Sequence, residues 1–184
     1  MSLNLSENAT GADNQQERLQ PIPIELGHYL AGFADGEGSF NISVIRRKAD
    51  YQRGWKIVAS FNVSQKSSQI PLLIQRTLGC GTIRFRKDGV CYFEVRTMKD
   101  LNTSVRWFFE RFPLLSDRQS TRFRLLMEAV AIMAEGRHLT EAGLIDVLYI
   151  RELMINTRKR KYEIADVLAK SSETIRQDPV RDMI

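Results

Sequence analysis

Along the first half of the chain the spacing of apolar side chains switches twice between a helical and an alternating repeat. Ile24, Leu26, Tyr29, Leu30 and Phe33 recur at helical intervals as far as residue 37. After Gly38 the period drops to two. Phe40, Ile42 and Val44 alternate with Asn41, Ser43 and Ile45, up to Arg46-Arg47-Lys48. A second strand sets Ile57, Ala59, Phe61 and Val63 on one face and Lys56, Ser60, Asn62 and Ser64 on the other. Residues 68–78 return to helical spacing and are closed by Gly79. A hairpin follows: Thr82 to Arg86, a Lys87-Asp88-Gly89 turn, then Val90 to Arg96 with Cys91, Phe93 and Val95 on one face. From Lys99 onward three helices are predicted at roughly 99–111, 116–135 and 140–156, separated by Arg111-Phe112-Pro113 and by Gly136 with Thr140. This order predicts an α+β domain, a four-stranded antiparallel sheet with all helices on one face.

The ends read differently. Residues 1–20 are polar and predict a flexible leader, with order beginning near Pro21-Ile22-Pro23. The domain then runs from 21 to 156. Residues 157–184 form a basic C-terminal extension that begins at Arg158-Lys159-Arg160-Lys161, and its helical character is left open by the pattern.

Composition narrows the chemistry. No apolar run reaches the roughly 20 residues of a membrane-spanning helix, and no secretory signal pattern opens the chain, so an intracellular protein without a membrane partner is expected. Cys80 and Cys91 have no paired Cys or His ligands nearby, and the two histidines, His28 and His138, lie far apart. Zinc and histidine-rich metal centres are therefore not expected. The net charge of +5 is modest, and it matters only if the positive residues gather on one surface.

The strand faces turned away from the helices carry Asn41, Ser43, Arg47, Lys56, Ser60, Asn62, Arg84, Arg86, Tyr92, Glu94 and Arg96. Arginine reads guanine and asparagine reads adenine in the major groove, which admits an antiparallel ribbon. Any one-sided sheet shows water a polar face, however, so the pattern alone does not identify a DNA-binding protein.

Residues 30–39, Leu-Ala-Gly-Phe-Ala-Asp-Gly-Glu-Gly-Ser, are harder to explain as ordinary structure. Each glycine inside a helix costs about 1 kcal/mol. Glycines four apart leave a flat strip on which a second backbone can lie close. Two acids separated by glycines close the helix. A pair of such helices would gather carboxylates near its axis, a donor set suited to Mg²⁺ and to phosphodiester hydrolysis. A glycine-rich helix stop with an acidic turn is the plainer alternative for a bare D-G-E-G.

The whole ten-residue string resembles the signature of the LAGLIDADG homing endonucleases, and the likeness extends over residues 24–155. It is nearest in kind to the single-motif, intron-encoded members, which act as homodimers. The resemblance implies an αββαββα fold whose sheet forms a saddle on DNA. Glu37 is implied as the catalytic metal carboxylate, with the Gly36 carbonyl as a second metal ligand and Asp35 as support for the helix end. Gln65, in Phe61-Asn62-Val63-Ser64-Gln65-Lys66, is implied to organise water. Arg118, in Phe112 to Arg118, stands where family members commonly carry Lys; it stays charged and cannot accept a proton, so it would stabilise phosphate charge. Leu30, Gly32, Phe33 and Gly36 are expected at the dimer contact.

One motif per chain gives one carboxylate set, and two strands must be cut; a twofold dimer on a long pseudo-palindromic site follows. The expected activity is hydrolysis of both DNA strands with short 3′ overhangs, promoting intron mobility. Mg²⁺ is the expected cofactor, Mn²⁺ an expected substitute, and Ca²⁺ is expected to bind without turnover. No small-molecule cofactor is expected. The expected location is intracellular: bacterial or archaeal cytoplasm, or an organelle. An intron-splicing maturase and a non-catalytic DNA-binding protein of the same fold are the alternatives; Glu37, Gln65 and Arg118 speak for the catalytic set.

Overall fold

A computed structural model of the chain describes residues 21–47, 54–154 and 161–175. The predicted leader, Lys48 and the basic residues 158–160 lie outside the described residues.

Helix α1 (Ile24–Glu37) starts behind Pro23 and passes directly into β1 (Gly38–Arg46). β2 (Trp55–Gln65) runs back along it, and α2 (Gln69–Leu78) follows. Gly79 stops α2 in the left-handed region (φ 64°), a conformation that costs a glycine little. The hairpin is β3 (Thr82–Phe85) and β4 (Cys91–Val95). The next helix is interrupted: α3 (Met98–Asp100) gives way to a π turn at Leu101–Val105 and then to α4 (Arg106–Arg111). α5 (Asp117–Ala134) and α6 (Glu141–Leu153) are separated by a short 3₁₀ turn, and the side chains of Ser116 and Thr140 cap their first turns. The α+β architecture is as the sequence pattern predicts.

The strands form one antiparallel sheet in the order β1-β2-β4-β3. Its apolar face meets the helices through phenylalanines. Phe40 stacks on Phe61 at 5.0 Å between ring centres, and Phe109 of α4 meets both edge-on at 5.4 and 5.2 Å. Such pairs contribute about 0.5–1.5 kcal/mol each beyond their area, so the β1–β2 pair is held firmly against α4. Phe123 closes the cluster from α5.

A further helix, α7 (Ile164–Ile175), lies in the stretch read as a basic extension. Its buried Val167 joins Trp55, Leu144 and Leu148 in a second apolar cluster, and Tyr162 meets Trp55 edge-on at 4.8 Å. Tyr162, Ile164, Val167 and Leu168 are thus packed with α6 and the far end of β2.

Candidate active site and nucleic-acid interface

Three elements meet at Glu37. It is the last residue of α1, and Gly38 opens β1 with its N–H still donating to the Ala34 carbonyl. A Cβ at residue 38 would run into that carbonyl, so the abrupt turn from helix to strand requires glycine. Gly38 pairs with Val63, which places the β2 terminus, and with it Gln65, beside the end of α1. The third element is α5. Buried Gln119 donates from Nε2 to the Gly38 carbonyl at 2.7 Å, so Arg118, its neighbour in the first turn, belongs to the same corner.

The two acids of the motif have separate surroundings. Asp35 accepts hydrogen bonds from the backbone N–H of Leu115 (3.2 Å), from that of Ser116 (2.9 Å), and from the Ser116 hydroxyl (2.5 Å). These groups precede α5, where a carboxylate also complements the positive end of the helix. Glu37 is exposed and makes no hydrogen bond or ion pair among the described residues. Arg118 is exposed and Gln65 partly exposed at the same corner. One turn along α5, Arg122 is half-buried; burial first, and then the charge of Arg118, holds its guanidinium below the usual arginine range. Arg118 and Arg122 thus put two positive charges on successive turns at the start of α5. Sequence reasoning misses Arg122, although its spacing of four from Arg118 is visible in the letters.

No cluster of three or more His, Cys, Asp or Glu able to hold a metal occurs among the described residues. A single chain offers Glu37 and a main-chain carbonyl such as that of Gly36.

On the outer side of α1, Gly32 and Gly36 are exposed, and nothing lies within 4 Å of a Cβ built on either. Tyr29 is exposed beside them and Phe33 partly so. Leu30 is a correction. It is 2% exposed and packs into the chain's own core, because the helix turns residues 27, 30, 31 and 34 inward. It cannot form part of a face open to a partner. Leu115, 89% exposed on the segment held by Asp35, is large and apolar, and sequence reasoning does not single it out.

The strand register joins the predicted polar residues into one surface opposite the helices. Asn41 faces Ser60, Asn62 faces Glu94, and Arg84 faces Tyr92. Ser43, Arg47, Arg84, Arg86 and Arg96 are exposed; Asn41, Lys56 and Tyr92 are partly so. Asn41 donates to the Ser39 hydroxyl at 2.8 Å, and Arg86 pairs with Asp88 at 3.2 Å. Three residues depart from expectation. Ser60 and Asn62 are short side chains of the central strand and are buried in the floor of this surface. Glu94 is only 3% exposed; Arg84 bridges to its Oε2, and Arg96 Nε lies 2.9 Å from its Oε1. Glu94 therefore presents no free carboxylate to a ligand. Tyr92 beside it has its phenol pushed above the usual range by burial and by the Glu94 charge, against the pull of three arginines.

The LAGLIDADG endonuclease family model matches residues 30–129, more than half of the chain. Among curated proteins, a probable intron-encoded endonuclease 3 of Neurospora crassa is 33% identical over 128 residues, covering 67% of this chain and 24% of its own length. An uncharacterised cox1 intron-2 protein of Schizosaccharomyces pombe is 30% identical over 120 residues, with 65% and 35% covered. The chain thus spans about a quarter to a third of these relatives. DNA endonuclease I-CvuI of Chlorella vulgaris is 38% identical over 79 residues, 42% of this chain and 48% of that one. Among solved structures, homing endonuclease I-TnaI superposes with a TM-score of 0.67 at 26% identity over 80% of this chain and 97% of that one. The DNA complex of the archaeal intron-encoded I-Vdi141I shares the fold, with a TM-score of 0.72 at 21% identity over 81% and 96% of the two chains. The order of elements, the sheet and the matched segment agree: this chain belongs to the LAGLIDADG endonuclease family.

Proposed function

We propose that this protein is a site-specific double-stranded DNA endonuclease that acts as a homodimer with a divalent metal. The observation that carries the proposal is the corner where the end of α1, the end of β2 and the start of α5 bring Glu37, Gln65 and Arg118 together, next to an arginine-bearing sheet face. Relatives named as endonucleases, and family folds solved on DNA, support it. A related I-CvuI complex was solved in the presence of Mg.

The donor chemistry suits Mg²⁺, which is commonly held by one or two carboxylates together with waters and substrate phosphate oxygens. Glu37 and the Gly36 carbonyl would hold it, and Asp35, engaged by three hydrogen bonds, would not. The metal would supply activation of water and charge neutralisation at the scissile phosphate. Gln65 orients that water through its amide. Arg118, with Arg122 behind it, attracts the phosphate and holds its charge. Phosphodiester hydrolysis on both strands, with short 3′ overhangs, needs two such corners. The open glycine strip of α1 is the surface through which a second copy supplies the other. The expected role is intron mobility, and the expected location is a DNA-containing intracellular compartment. No helix among the described residues is long and apolar enough to cross a membrane.

The test is cleavage of a duplex library with Mg²⁺ by the wild type and by Glu37→Gln. The wild type cuts a defined site, while the variant binds that site and leaves it intact. Wild-type cleavage rates in the variant would remove Glu37 from the mechanism. Binding without cleavage by the wild type would favour the non-catalytic alternative.

A further inference from the structure

The sheet face contains an arrangement that its individual residues do not announce. Glu94 sits on β4 with its carboxylate buried, on the side of the sheet away from the helices. Arg84 arrives diagonally from β3, since its direct partner across the strand pair is Tyr92. Arg96 arrives from two residues along, on the same face. The two guanidiniums occupy different oxygens of one carboxylate, and each side chain remains 54% exposed. Arg84 is also held from beneath, its guanidinium carbon 5.8 Å from the centre of the Tyr92 ring. Arginine normally carries much rotamer freedom, which is lost when it must dock on a ligand. Here that freedom is already restricted, and a planar fork of five N–H groups keeps donors to spare after one carboxylate contact.

We infer that Glu94 is a positioning residue for sequence reading: it fixes Arg84 and Arg96 so that their remaining N–H groups meet acceptor pairs on base edges, such as O6 and N7 of guanine. The inference rests on the DNA-binding reading above. Its physical content is that Glu94 acts against raw affinity. It subtracts one positive charge from the surface and ties two arginines down, exchanging non-specific phosphate attraction for discrimination.

That exchange gives a sign that a purely structural residue would not produce. Binding of a randomised double-stranded DNA library by the full chain, followed by sequencing of the retained pool, measures base preference position by position. For Glu94→Gln we expect preference to fall about tenfold at the positions read by the two arginines. Binding of random duplex should at the same time strengthen a few-fold at low salt, as one negative charge is lost. Unchanged preference at every position, or a parallel loss of specific and random binding, overturns the inference. Arg84→Ala, a change at an exposed side chain, keeps the test alive should Glu94→Gln fail to fold. With Arg84 gone, Oε2 of Glu94 is freed and draws on Arg96 as well, so base preference should change at two separate positions in each half-site. A change confined to one position refutes the hub. A wild-type library with no enrichment would instead overturn the DNA-reading proposal itself.

Discussion

Replacing Asp35 with alanine removes the acceptor of three hydrogen bonds that fasten the segment before α5 to the end of α1. A hydrogen bond to a charged group contributes about 1.5–3 kcal/mol in mutational series, and removing one partner leaves the others to find water. The three are not additive: they converge on one side chain, the bond to Leu115 N is long, and Asp35 is partly exposed. A loss of about 2–3 kcal/mol is the reasonable sum. For a domain of this size each kcal/mol lowers the melting temperature by about 2–4 °C, so Asp35→Ala should melt about 5–10 °C below the wild type. Asp35→Asn, which keeps one acceptor oxygen, should fall between. Thermal unfolding followed by circular dichroism reads this directly, and cleavage assayed well below the melting point should be reduced but present, since α5 carries Arg118. An Asp35→Ala variant that melts with the wild type and cleaves nothing would refute the division of labour. It would transfer Asp35 from scaffold to metal.

Two further expectations concern assembly and acid stability. Gly32→Leu adds a side chain where a single chain has open space, so the variant should fold as a monomer by light scattering and lose the concentration dependence of the melting temperature that dimerisation gives the wild type; a dimer of wild-type strength would place the twofold contact elsewhere. Burial holds the imidazole of His138 below its usual value of 6.5, so the unfolded chain takes up a proton before the folded chain does. The stability tied to this group is complete above about pH 6.5 and is lost as the pH falls below it. His138→Gln should flatten the acid side of the stability–pH curve, and an unaltered slope between pH 6.5 and 5 would contradict the assignment.

The strands were legible because each keeps its large apolar side chains on a single face. Phe40 and Ile42, and Ala59, Phe61 and Val63, announce the inward side by alternation alone. The family likeness assigns Asp35 to the support of the helix end, and its three hydrogen bonds to the segment before α5 are a physical counterpart of that reading, while the metal role of Glu37 stays a proposal. Leu30 was misplaced because its ten-residue string is apolar or small on nearly every side, so the letters do not tell which face turns inward. Glu94 resembled any outward polar residue of an alternating strand. Its burial depends on Arg84 being carried across by the hairpin and on Arg96 two places on, which is a matter of register. The α7 helix was hidden for a related reason: Val167 meets Trp55 more than a hundred residues earlier in the chain, and no local pattern records such a contact.

That last contact carries a consequence for how the chain assembles. Closing so long a loop is entropically slow, and pairings of high sequence separation tend to be late events. Trp55 stands at the beginning of β2, and Tyr162 and Val167, more than a hundred residues further along the chain, pack in the same cluster, so this contact is expected to form late. The other tryptophan, Trp107, is half exposed in the folded chain. The emission of Trp55 is therefore an internal clock for the final stage of maturation. It would report when Tyr162 and Val167 dock on the far end of β2.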